Sequence, residues 1–174
     1  MTPWSCTTER LVIRPMAHDD APFVLELVNT EGWLRFIGDR GVRNVADATR
    51  YLENGSIASH ARHGFGGYHV ARRSDLAPLG TCTLLQREHL DDVDLGFAFL
   101  PQFSGQGYAL EATSAVIAHA RGDLRLPRLC GITQPENIQS IRLLEKLEFR
   151  FTRLVQLTPN AVALRLYTRE LSPP

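Results

Sequence analysis

Asp94-Leu-Gly-Phe-Ala-Phe-Leu-Pro-Gln-Phe-Ser-Gly-Gln-Gly-Tyr-Ala-Leu-Glu-Ala112 runs from an apolar stretch, through a proline and two glycines, into helical spacing. Asp92 to Phe99 reads as a strand. From Ala109 to Arg121, Leu110, Thr113, Val116, Ile117 and Ala120 share one face of a helix. Between the two, Gln102 to Ala109 would present successive backbone N–H groups at a helix N-terminus, where an anion such as a pyrophosphate is favoured. Gly105 and Gly107 would let the backbone come close to that anion. The same residues also fit an ordinary glycine turn before a helix. They do not make a dinucleotide fingerprint, because Leu110 stands where the third glycine should be.

Upstream, Leu11-Val12-Ile13 alternates against Arg10 and Arg14 and stops at Pro15, which predicts a short opening strand. Helical spacing follows over Ala21 to Asn29, with Asp19 or Asp20 as its cap, and again over Val45 to His63, where Gly55 weakens the helix by about 1 kcal/mol relative to alanine. The stretch Thr30 to Asn44, broken by Gly32, Gly38 and Gly41, reads as a loop or short helical turns. Tyr68 to Ala71, Leu79 to Gln86 and Asp92 to Phe99 predict an antiparallel meander. Downstream come a strand at Leu129 to Thr133, a helix at Asn137 to Glu148 and a closing strand pair at Phe149 to Leu157 and Val162 to Leu171.

A chain of 174 residues, 44% hydrophobic, buries a sizeable core and is expected to form one domain over residues 1–174. Nineteen Lys plus Arg against nineteen Asp plus Glu removes the charge footprint of a dedicated nucleic-acid binder. Lys146 is the only lysine and has no glycine-rich run before it, which excludes a Walker-type nucleotide loop. Cys6, Cys82 and Cys130 have no metal-like spacing and suit reduced intracellular thiols. No apolar run is long enough for a membrane span or a signal segment, so a cytoplasmic protein is expected.

Several side chains invite chemistry. Asn137 and Ser140 open a helix after Pro135, as a cap and first-turn serine or as ligand-binding groups. Glu88, Asp91, Asp92 and Asp94 cluster at a turn and the strand after it, where most such charges are simply solvated. Asp94 is the exception: alternating with Val93 and Leu95, it lies on one defined face of the strand that leads to the glycine loop. His60, His63 and His69 fall short of a convincing metal set, and none is expected. Cys82 and Cys130 lie in apolar strands and read as small core residues. Trp33 and Phe36 fit either loop packing or a pocket wall; in the latter case Arg35, Asp39 and Arg40 are the polar groups beside them.

Thr8-Glu-Arg-Leu-Val-Ile-Arg-Pro15, Asp94 to Ala112, and Pro135-Glu-Asn-Ile-Gln-Ser-Ile-Arg-Leu-Leu-Glu-Lys-Leu-Glu-Phe149 resemble the GCN5-related N-acetyltransferases (GNAT). The opening block and the Asn-x-x-Ser signature look most like the branch of the ribosomal-protein N-terminal acetyltransferases. The resemblance implies an α+β fold, a mostly antiparallel twisted sheet of about seven strands flanked by about four helices. It also implies acetyl-coenzyme A as co-substrate. Gln102, Phe103, Ser104, Gly105, Gln106, Gly107, Tyr108 and Ala109 would cradle the pyrophosphate, the Phe97-Ala98-Phe99 backbone would pair with the pantetheine arm, and Asn137 and Ser140 would reach the arm and the thiol end. Three departures stand out. Ser104 replaces a large aromatic or basic residue, Glu148 the usual glycine before Phe149, and Leu144 the tyrosine acid of many relatives, which leaves Ser140 as its substitute.

Acetyl transfer to a primary amine by direct attack needs a base, a polarised carbonyl and a donor to the departing sulfur. Asp94, directly or through a water, is the first candidate base and Glu88 the second; Phe97 to Phe99 supply an N–H, and Ser140 the donor. Trp33, Arg35, Phe36, Asp39 and Arg40 would border the acceptor, with Asp39 holding the cationic amine or, alternatively, pairing with Arg40 to brace the loop. The acceptor is read as a small-molecule amine, with a peptide or protein N-terminus as the alternative and a non-catalytic acyl-coenzyme A sensor as the rival. A homodimer is compatible with this reading.

Overall fold

A computed structural model of the chain describes residues 3–171. Its strands are β1 (Cys6–Thr7), β2 (Leu11–Pro15), β3 (Gly67–Arg72), β4 (Pro78–Leu85), β5 (Val93–Phe99), β6 (Arg128–Thr133), β7 (Arg150–Val155) and β8 (Leu164–Glu170). They form one sheet in the order β1-β2-β3-β4-β5-β6-β8-β7, antiparallel throughout except for the parallel pair β5 and β6. The helices are α1 (Ala21–Val28), α2 (Glu31–Phe36), α3 (Val45–Leu52), α4 (Ala58–His63), α5 (Tyr108–Gly122) and α6 (Ile138–Lys146). Among the described residues no helix is long and apolar enough to cross a membrane.

Two counts exceed the expectation of about seven strands and four helices. The extra strand is the two-residue β1, held to β2 by Cys6↔Ile13 and Thr7↔Val12. The extra helix is α2, a short helical turn of the kind expected, beside a loop, over Thr30 to Asn44; the Thr30 hydroxyl caps it by accepting the Trp33 N–H at 3.4 Å. The helix expected over Val45 to His63 is a continuous rod in which α3 passes into α4 through a π-helical turn, Glu53–Ile57. Gly55 sits in that turn, so the weak helix former falls where the winding loosens.

Helices cover both faces of the sheet. On one, α5 and α6 bury Leu11, Ile13, Val70, Leu84, Leu95, Leu129 and Tyr167 with Val116, Ile117, Ile141 and Leu144. On the other, α1 and α3 close over Met16 and Leu100 with Val24, Leu27, Ala48 and Leu52. Each fully buried leucine contributes about 2 kcal/mol of transfer free energy, so the two layers fix where the strand ends stand. A third, smaller cluster of Leu90, Cys130, Val155 and Leu166 lies near the β5–β6 junction. The Cys82 and Cys130 thiols are buried, as expected of core residues, and burial pushes Cys130 up to about 12.

Candidate active site

Parallel strands need a long crossover, and here α5 supplies it between β5 and β6. The pair share only two positions, Val93↔Leu129 and Asp94↔Cys130, and then part. From Gly96 to Phe99, β5 keeps β4 on one side, through Gly96↔Thr83, Phe97↔Cys82, Ala98↔Thr81 and Phe99↔Gly80. Among the described residues no strand pairs with its other edge, so that edge can take an extended amide-bearing chain as a strand would. Gly131 lets α6 pack tightly against the parting strands: a Cβ there would lie 2.8 Å from Leu144 Cδ2 and 3.6 Å from the Leu95 carbonyl oxygen.

β5 ends in the turn Pro101–Phe103, after which Gly105 (φ 75°) and Gly107 (φ 81°) take the left-handed conformation before α5 begins. Ser104 donates its N–H to Pro101 and Glu111 to Gly107. The intervening N–H groups of residues 105–110 have no partner among the described residues. Free amides in a loop with left-handed glycines, set at the positive end of a fifteen-residue helix, form a concave anion site. Gln102, Phe103, Ser104, Gly105, Gln106, Gly107, Tyr108 and Ala109 are therefore contiguous, at the end of the strand whose other edge is open.

Asn137 caps α6, its side-chain oxygen accepting the Ser140 N–H at 3.1 Å. The cap reading is thus correct for that oxygen, while the amide nitrogen of Asn137 and the half-buried Ser140 hydroxyl have no partner among the described residues. Asp94 lies where β5 and β6 separate, on the sheet face opposite Val93 and Leu95. Its side chain is 3% exposed, and its Oδ2 accepts from Arg87 Nε at 2.6 Å, while Oδ1 is buried without a partner. Burial pushes the carboxyl up from its ordinary range against the pull of the Arg87 guanidinium. Glu88 stands exposed on the turn after β4.

The α2 region requires a correction. Asp39 does not pair with Arg40: Arg43 donates to both carboxylate oxygens, and the Gly41 N–H adds a 2.8 Å bond. This exposed carboxyl, held at about 2 by Arg43 and the Gly41 N–H, braces the loop from outside. Arg40, the neighbour passed over, lines a cavity of about 470 Å³ together with Val42, Asp47, Arg50, Tyr51 and Asn54. Arg50 is paired with Asp47, whereas Arg40 only approaches the Ile37 carbonyl at 3.5 Å. Tyr51 lines this cavity: burial raises its phenol, and the charges of Arg40 and Arg87 draw it back down. Trp33 and Phe36 are half-buried, Trp33 against the α1 and α3 core, and Arg35 lies 4.8 Å over the Phe36 ring. Gln134, just past β6, donates to the Arg35 and Phe36 carbonyls at 3.3 and 3.2 Å and ties α2 across the end of that strand.

Sequence reading missed Tyr51, Arg87 and Gln134. Arg87 was within reach, because the hairpin register Leu85↔Asp94 sets it diagonally across from Asp94. Tyr51 lies three residues beyond inward-facing Ala48 on the same helix face. Nothing local marked Gln134. The histidines do not converge: His60 meets the Gly67 carbonyl at 3.1 Å, His63 stacks on Phe65, and His69 is buried beside Asp20 and Phe23.

Residues 10–150 match the family model described as an acetyltransferase (GNAT) domain. The uncharacterized N-acetyltransferase YnaD of Bacillus subtilis (strain 168) is 27% identical over 144 residues, 83% of this chain and 81% of that protein. Among solved structures, the fold is similar to RimL, a ribosomal L7/L12 α-N-protein acetyltransferase in complex with coenzyme A, at a TM-score of 0.83 and 16% identity, covering 97% of this chain and 98% of that one. A GNAT-family acetyltransferase from Bacillus anthracis superposes at a TM-score of 0.79 with 21% identity, covering 96% and 98%. The matched residues take in both strands of the split and the whole loop between them, so the chain belongs to the GNAT family of acetyl-coenzyme A-dependent N-acetyltransferases.

Proposed function

We propose that the enzyme acetylates the primary amine of a small molecule, by direct attack in the cleft between β5 and β6. The observation behind the choice of acceptor is the cavity of about 470 Å³ lined by Arg40 and Tyr51, a volume that suits a small ligand. Gln134 ties α2 across the end of β6. Bound acetyl-coenzyme A supplies the activated thioester. The chain does the rest: the free amides of the loop hold the pyrophosphate, the open edge at Phe97 to Phe99 aligns the pantetheine arm, and the Asn137 amide nitrogen steadies it. The Ser140 hydroxyl donates to sulfur as charge gathers there. Asp94, reached through a water, takes the amine proton; its raised pKa places it nearer to neutral pH, where a general base is most effective.

A second reading, acetylation of a protein N-terminus, draws on the likeness of the fold to RimL. Coenzyme A release measured over a panel of small amines and short peptides separates the two, with product masses identifying the acetylated nitrogen. Turnover with small amines is expected. Transfer to peptide N-termini alone would replace the first reading by the second, and no turnover with either, despite tight donor binding, would favour a sensor.

A further inference from the structure

The back of the glycine loop is held from far away in sequence. Arg10 lies in the turn between β1 and β2, and its Nη1 donates to the Gln106 carbonyl at 2.9 Å. Its Nε donates to Glu111 Oε2 at 2.7 Å, its backbone N–H to Glu111 Oε1 at 2.9 Å, and the Thr8 hydroxyl to that same oxygen at 2.6 Å. The guanidinium lies 4.6 Å from the Tyr108 ring centre, and a Cβ at Gly107 would stand 3.3 Å from Arg10 Nη2. One side chain therefore bonds Gln106 and the first-turn acid of α5, lies over Tyr108, and leaves little room for a side chain at Gly107.

A trans peptide points its C=O and N–H in opposite directions. Holding the Gln106 carbonyl towards Arg10 therefore aims the Gly107 N–H the other way, away from the protein's own acceptors. Released, the same peptide could flip and present a carbonyl oxygen to a polyanion. Glu111 adds a second hazard, since a bare carboxylate in the first turn would repel phosphate. Burial raises the Glu111 carboxyl, yet Thr8 and Arg10 together bring it below the ordinary range, so it stays ionised with its charge answered by Arg10.

We propose that Arg10 is a positioning residue for the acetyl donor: it latches the glycine loop so that its amides face the pyrophosphate, and thereby sets the preference for acetyl-coenzyme A over thioesters without a nucleotide. The inference rests on the reading that this loop holds the pyrophosphate. It is tested with acetyl-coenzyme A and S-acetylpantetheine, which share a thioester and differ in the phosphates.

Arg10→Ala is expected to raise the KM for acetyl-coenzyme A about tenfold or more, as loss of a charge-assisted hydrogen bond implies. Its kcat, and its kcat/KM for S-acetylpantetheine, should stay within about twofold of wild type. Arg10→Lys should recover part of the loss. Should Arg10→Ala fail to fold, Arg10→Met keeps the packing of the side chain without its donors and should raise the KM for acetyl-coenzyme A alone. Equal losses with both donors, or no loss with either, would reduce Arg10 to a brace between the β1–β2 turn and α5 and overturn the proposal. Gly107→Val separates the underlying reading: if it leaves the acetyl-coenzyme A KM unchanged, the loop is not the cradle and both ideas fall. If it raises that KM while Arg10→Ala does not, only the latch falls.

Discussion

Arg87 and Asp94 meet where the sheet divides, Nε to Oδ2 at 2.6 Å, with the carboxylate sealed and the guanidinium a third exposed. The arrangement leaves Oδ1 unpartnered beside the parting strands, a costly state for a buried polar atom unless it is used. As the base, Asp94 predicts that Asp94→Asn lowers kcat by about 10²-fold, with partial recovery at high pH. Glu88→Gln should have a small effect; the opposite pattern would hand the role to Glu88.

The pH dependence follows from the same pair. Because burial raises the Asp94 pKa in the folded protein, the acid limb of the rate profile should lie above the ordinary carboxylate range. Arg87→Gln removes the group that opposes that rise and should displace the limb further upward. The stability contribution of this site has the opposite sense to that of an ordinary ion pair: it is present below the unfolded pKa and lost as pH rises through the folded one. Asp94→Asn should therefore flatten that part of a stability profile measured by urea denaturation.

Ser140→Ala should slow turnover more than it weakens donor binding, since its hydrogen bond matters most when sulfur carries charge. Asn137→Ala combines two losses. It should weaken donor binding and also cost about 1 kcal/mol of stability, because its oxygen caps α6. A Ser140→Ala enzyme with a lower Tm and full kcat would return that residue to the helix start alone.

At the cavity proposed for the acceptor, Arg40→Ala and Tyr51→Phe should raise the acceptor KM severalfold and leave the Kd for acetyl-coenzyme A unchanged. Asp39→Ala should leave the acceptor KM near wild type, since that carboxylate faces Arg43 outside the cavity. Steady-state kinetics with calorimetric donor titration reads both. A large KM effect of Asp39→Ala alone would assign the amine-holding role to Asp39.

Glu148 occupies the left-handed position after α6, with φ 63°, where the resembling family has glycine. Arg169 compensates, donating to the Leu147 carbonyl and the Glu148 carboxylate at 2.8 and 2.7 Å. Glu148→Gly trades relief of about 1 kcal/mol of backbone strain against a lost exposed ion pair and a more flexible unfolded chain. Its stability should stay within about 1 kcal/mol of wild type by urea denaturation. Glu148→Val, β-branched at a positive φ, should lose clearly more.

The legible parts of the chain were those written in local periodicity or turn chemistry. Leu110, Val116, Ile117 and Ala120 announced α5, and Gly105 and Gly107 the loop before it, since spacing and conformation are properties of neighbouring residues. What escaped was settled by tertiary register. Asp39 had Arg40 beside it in sequence, yet an exposed turn set Arg43 in reach, and four positions on was the better geometry. Arg10 and Glu111, about a hundred residues apart, meet only because β2 packs under α5. Short helical turns were one reading of Thr30 to Asn44, but which residues wind depends on the Thr30 cap and the tie from Gln134, neither of which alters the apolar pattern.

Two rungs of ladder resist shear between β5 and β6 but hold torsion weakly, so the angle between the two halves of the sheet is fixed by what is wedged across it. That wedge is Leu144 of α6, pressed where Gly131 has no side chain. Gly131→Ala would act as a shim in a vice: it would spread the jaws from behind, and alter the distance between donor and acceptor without touching either.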